Sequence, residues 1–177
     1  MSLRTDLSER SAGRDVLGFP NPVNEKAARV VAGGVLSLAV VTLVGSLVAG
    51  DGWLWLSVVL ALGFLARVLT GPTLSPLGQL ATRVIAPRLG PPKLVAGPPK
   101  RFAQAIGLTV TGAAAVATAF GGYGVAQVLL GLIIVAATLE SVFALCLGCT
   151  MFGVLMRVGL VPEETCEACA NLALPHA

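Results

Sequence analysis

Four stretches of this chain are too long and too apolar to be the faces of soluble helices. They run over about 27–49, 53–69, 102–120 and 125–145, and the last stays apolar as far as Val158 apart from a few polar side chains. A helix rises about 1.5 Å per residue, so the longer runs cross a hydrocarbon layer of about 30 Å, and the run at 53–69 is short but sufficient. Hydrophobic residues make up 55% of the chain and charged residues 12%. Soluble domains carry about a quarter charged residues, so this excess of apolar surface needs lipid as its solvent. The 177 residues are one domain's worth. The expected fold is therefore all-α, a four-helix transmembrane bundle.

The punctuation between the runs supports that division. Residues 1–17 mix charges without apolar periodicity and read as a flexible tail, with no secretory signal pattern. The turn-forming GFPNPVNE follows, and Asn24 is placed to cap the first helix. Gly50, Asp51 and Gly52 break the first run, and Trp53 and Trp55 follow where interfacial aromatics belong. Ser75-Pro76 reads as an N-cap with proline at the first helical position. Leu77, Leu80, Ala81, Val84 and Ile85 then recur at helical spacing, with Gln79, Arg83 and Arg88 off that stripe. This predicts a short amphipathic surface helix between spans two and three, stopped by Pro87. GPPKLVAGPPK reads as a stiff connector. The small residues of the third run would let helices pack closely, including against a second copy of the chain. The division expected is a tail (1–17), a four-span membrane domain (18–160) and a cysteine-containing cytoplasmic tail (161–177).

Lys and Arg number twelve, and none lies in the loops at 50–52 and 121–124. The positive-inside rule then places both termini in the cytoplasm. At helical rise, Arg67 and Glu140 both fall roughly 21 to 24 Å from the outer ends of their spans. A charge at that depth needs a partner, and an Arg67–Glu140 ion pair is expected. Arg29, Arg101 and Gln104 fall near the same level, where they would ring a polar pocket with Glu140 or hold anionic lipid headgroups.

Cysteine carries the chemistry. Cys146 and Cys149 form a C-x2-C pair six residues after Glu140, and Cys166 and Cys169 form another in the polar tail. The arrangement C-x2-C-x16-C-x2-C suits a four-cysteine zinc or iron site, in which each pair supplies two thiolates. The same pairs suit a dithiol that cycles to a disulfide or passes a persulfide sulfur. In that reading Cys146 and Cys149 are the membrane-edge dithiol and Cys166 and Cys169 the exposed pair. Glu140 acts as proton acceptor or counter-ion, and nearby guanidinium groups favour the reactive thiolate. Buried cysteines also serve simply as small hydrophobes. A third reading is a small sulfur-oxyanion carrier whose path is lined by Arg29, Arg67 and Arg101. With a single His, at position 176, imidazole-based chemistry is not expected. No run reads as a strand feeding a phosphate loop, and nothing points to nucleic acid.

The entry motif FPNPVNE-x-x-x-R (Phe19 to Arg29), the PPKRFAQ-x-x-G start of the third run (Pro98 to Gly107), and the Glu-then-CLGC segment with its RxGLVPEExCEAC tail resemble a bacterial membrane family. That family is catalogued as domain of unknown function 4395. The resemblance implies a compact four-helix domain of the bacterial cytoplasmic membrane. It brings no established activity. It associates the chain with soluble thioredoxin-like and rhodanese-like partners, which favours thiol or sulfur chemistry over a purely structural metal.

Overall fold

The structure, a computed structural model, describes residues 23–159. It is all-α apart from one small clip. Two-residue strands β1 (Val23–Asn24) and β2 (Leu94–Val95) pair antiparallel, Val23 opposite Val95. The sequence had offered no strand here. The clip ties the entry of the first span to the connector before the third.

Helix α1 (Glu25–Ala49) opens as expected: the Asn24 side chain accepts a hydrogen bond from the Lys26 amide at 3.0 Å. A 3-10 turn (Asp51–Trp55) leads into α2 (Leu56–Thr70). Helices α4 (Gly97–Ala119) and α5 (Tyr123–Ser141) complete a set of four that are long and apolar enough to cross a membrane. The chain is a multi-pass membrane protein. Helix α1 packs on α5, α5 on α4, and α4 on α2. Leu54, Ala114, Ala126 and Leu130 lie wholly inside. The outward sides are equally apolar: Val48 and Phe120 are more than four-fifths exposed, as a lipid-facing surface allows. Buried hydroxyls bond within their own helices, Thr111 to the Gly107 carbonyl and Thr118 to that of Ala114.

Between spans two and three the short helix forms, with Ser75 Oγ accepting from the Gly78 amide at 3.2 Å. It begins as α3 (Pro76–Leu80), widens to a π turn (Ala81–Ile85) and tightens to a 3-10 turn (Ala86–Leu89). Pro87 does not stop it; it lies inside the 3-10 turn, and Gly90, at φ 89°, ends the segment. The buried stripe is also shifted. Leu77 packs against Gly34 of α1, Gly78 closes on Pro72, and Ala81 and Ala86 are buried, while Leu80 and Val84 point outward. The π turn changes the angular spacing from Ala81 on, so Val84 drifts off a stripe drawn at ideal helical spacing.

Two boundaries differ from expectation in ways that build the site. The third span starts at Gly97, so Pro98 and Pro99 form its first turn rather than a connector. Proline is tolerated there because those amides have no intrahelical partner. The fourth span ends at Ser141 and does not run on towards Val158. A turn through residues 142–146 separates it from α6 (Leu147–Arg157). Ala144 takes a left-handed φ of 57°, costly for a residue with a Cβ. The Leu145 amide reaches back to the Leu139 carbonyl at 2.9 Å.

Candidate functional site

The turn at 142–146 delivers Cys146 to the N-terminus of α6. Cys146 is the N-cap: its Sγ accepts from the Cys149 amide at 3.4 Å. The C-x2-C pair therefore occupies the first turn of a helix, where the dipole and unpaired amides favour negative charge. Both thiols are free and partly buried. The Cys149 thiol donates to Cys146 Sγ. That bond, helped by the Lys100 ammonium, lowers Cys146 to about 7 against the opposing effects of burial and Glu140. The same bond, with burial, drives Cys149 well above the ordinary thiol range. One sulfur is thus prepared as a thiolate while its neighbour keeps its proton.

Helix α6 is held by close approach to α4. A Cβ on Gly148 would come within 2.5 Å of the Ala103 Cα, so only glycine lets the two backbones meet. One turn further on, Phe152 packs against Phe102 with ring centroids 5.7 Å apart.

Glu140 pairs with Lys100, not with Arg67. Lys100 Nζ lies 2.7 Å from Glu140 Oε1. Lys100 escaped sequence reasoning because its two preceding prolines suggested a loop; in fact they open α4 and carry the ammonium inward. Arg67 is buried elsewhere. It donates from Nε to Gln104 Oε1 at 2.8 Å and from Nη1 to Ser75 Oγ at 3.4 Å, and its guanidinium lies 4.5 Å from the Phe64 ring centroid. Arg29 donates to the Ser141 and Val142 carbonyls, closing the end of α5. Arg101 donates to the Val68 carbonyl near the end of α2. None of the three arginines lines a cavity with the thiols; Gln104 does.

Two cavities meet at Cys146. One, of about 410 Å³, lies between the first turns of α1 and α4 and the turn before α6. It is lined by Glu25, Lys100, Cys146 and Cys149, with exposed Ala144, Leu145 and Thr150 at its rim. The other, of about 310 Å³, runs between α4 and α5 and is mostly apolar, with Gln104, Glu140 and Cys146 among its lining.

Among the described residues, no group of three or more His, Cys, Asp or Glu side chains is placed to hold a metal. Cys166 and Cys169 lie outside the described residues, so a four-cysteine site would draw half its ligands from there.

Four apolar helices with a dithiol at the N-terminus of the short helix α6 define a multi-pass membrane protein carrying a C-x2-C pair at one end of its bundle. The match to a family model over residues 23–157 goes further: the chain belongs to the family described as Domain of unknown function (DUF4395). Neither the curated proteins nor the solved structures contain a match.

Proposed function

We propose that this protein is a membrane-bound thiol–disulfide relay that works on a soluble thioredoxin- or rhodanese-like partner. The observation that carries the reading is the placement of the pair in the first turn of α6: Cys146 Sγ accepts from the Cys149 amide, and both sulfurs line a cavity with Lys100.

In the disulfide form of the pair, a partner thiolate attacks Cys146 Sγ. The Cys146–Cys149 bond breaks, and Cys149 leaves and takes up a proton. The partner's second thiolate then attacks its own mixed-disulfide sulfur, and Cys146 departs as a thiolate. A low-pKa thiol is the better leaving group. The partner's dithiol becomes a disulfide, and two electrons pass to this chain; one proton ends on Cys149 and the other goes to water. In reverse, Cys146 is the nucleophile and Cys149 the resolving thiol. Lys100 supports the thiolate, and Glu140 holds Lys100 in place. The 410 Å³ cavity is the docking side, and Cys166 and Cys169 in the tail pass the disulfide between partner and membrane pair. The basic residues gathered near the dithiol end favour a cytoplasmic setting for it, in a bacterial inner membrane.

The test is exchange with a reduced soluble dithiol protein after purification in detergent. Cys146→Ser should abolish it, Cys149→Ala should trap a mixed disulfide when the partner is supplied in its disulfide form, and Cys166→Ser/Cys169→Ser should slow exchange with the protein but not with a small dithiol. About one zinc or iron per chain, masking all four thiols until chelation, would replace this reading with a structural tetrathiolate.

A further inference from the structure

We propose that the apolar cavity between α4 and α5 binds the ring of a lipid-soluble quinone, which accepts electrons from the Cys146–Cys149 dithiol. This rests on the relay reading above and supplies its oxidant.

Three observations converge. First, the cavity opens on the outer face of the bundle: Leu132, Val135 and Met151 line it and are each more than half exposed. Its walls include Val35, Val110, Ile133 and Ala136, and its roughly 310 Å³ suits a small ring whose tail stays in lipid.

Second, its polar groups are the ones a quinone head needs. Gln104 accepts from Arg67 Nε, which can only donate, so the amide oxygen must face Arg67 and the amide NH2 is left over. That NH2 has no partner among the described residues. A quinone carbonyl accepts such a hydrogen bond; a lipid acyl chain offers nothing to it.

Third, Cys146 lines both this cavity and the polar one. Its sulfur is thus within reach of lipid-soluble and water-soluble reactants on two sides.

The step balances with no further reagent but water. Cys146 thiolate adds to the quinone ring, forming a C–S bond. Cys149 then attacks Cys146 Sγ; the S–S bond forms, the C–S bond breaks and its electron pair stays on the ring. The proton of the Cys149 thiol and one proton from water end on the two quinone oxygens, giving a hydroquinone. Electrons therefore pass from soluble dithiol to protein disulfide and on to the membrane quinone.

The experiment uses the full chain in lipid nanodiscs, reduced and freed of reductant under argon, mixed with decylubiquinone. Hydroquinone formation is followed by ultraviolet absorbance and protein thiols are counted. Oxidation of the same samples by a soluble aromatic disulfide is measured in parallel. The expected result is two hydroquinones per chain, the tail pair re-reducing the membrane pair, and one per chain in Cys166→Ser/Cys169→Ser. Ala136→Phe, which fills the cavity, and Val135→Trp, which closes its mouth, should each lower the ratio of quinone rate to soluble-disulfide rate at least tenfold. Gln104→Leu should raise the quinone concentration needed for half-maximal rate.

A pair that reacts with the soluble disulfide but not with quinone overturns the quinone site and leaves the relay standing. Unchanged ratios in both cavity variants also overturn it. A pair that reacts with neither ends both readings.

Discussion

Lys100 and Glu140 hold each other at 2.7 Å across the interface of α4 and α5, with 9% and 16% of their side chains exposed. Each is the other's means of carrying charge so close to apolar walls. Removing one partner leaves an uncompensated buried charge, which costs about 3 kcal/mol or more. Lys100→Met should therefore destabilise the bundle by about that much in mixed-micelle unfolding. Lys100→Met/Glu140→Leu, which removes both charges, should recover most of the loss. Additive losses in the double variant would show that the pair does not act as a unit.

Alkylation of Cys146 should report its thiolate directly. In a Cys166→Ser/Cys169→Ser background, the iodoacetamide rate should rise with pH, with a midpoint near 7. Cys149→Ala removes the thiol that donates to Cys146 Sγ, so the midpoint should move up towards the ordinary value of about 8.5. Lys100→Met should move it in the same direction, because a nearby ammonium favours the thiolate. A midpoint untouched by either change would rule out both causes.

Gly148 and Gly153 both lie in α6 but should answer differently to alanine. A Cβ at Gly148 meets the Ala103 backbone, which cannot yield as a flexible side chain would. Gly148→Ala should cost about 1–3 kcal/mol and shift the Cys146 alkylation midpoint, because it displaces the helix end that carries the dithiol. At Gly153 nothing lies within 4 Å of a new Cβ. Gly153→Ala should be neutral or stabilise α6 by up to about 1 kcal/mol. Thermal melts in detergent compare the two.

The gathering of basic residues predicts a sidedness that labelling can check. With the native cysteines replaced by serine, Arg88→Cys should react with a membrane-impermeant maleimide only from the cytoplasmic side in inside-out vesicles. Gly52→Cys should react only from the opposite side. The reverse pattern would place the thiol pair outside the cytoplasm and change the class of partner available to it.

The four spans, the caps at Asn24 and Ser75 and the candidacy of the C-x2-C pair were legible in the sequence because each is a local signal. Apolar length forces a helix in lipid whatever surrounds it, since every backbone amide and carbonyl must bond within its own segment. Depth along a span is likewise read from helical rise alone, which is why Arg67 and Glu140 were expected near one level.

Partner choice was not legible, because rise says nothing about which face a side chain takes or which helix stands opposite. Tertiary packing gave Glu140 to Lys100 and Arg67 to Gln104. It also ended α5 at Ser141 inside an apolar run that holds neither proline nor glycine between 139 and 147. The break is stabilised from elsewhere in the chain: Arg29 takes up the carbonyls of Ser141 and Val142, Gly148 closes on Ala103, and Phe152 packs on Phe102. Those contacts come from α1 and α4, more than forty residues away in sequence, and they turn two cysteines of an apolar run into the first turn of a helix.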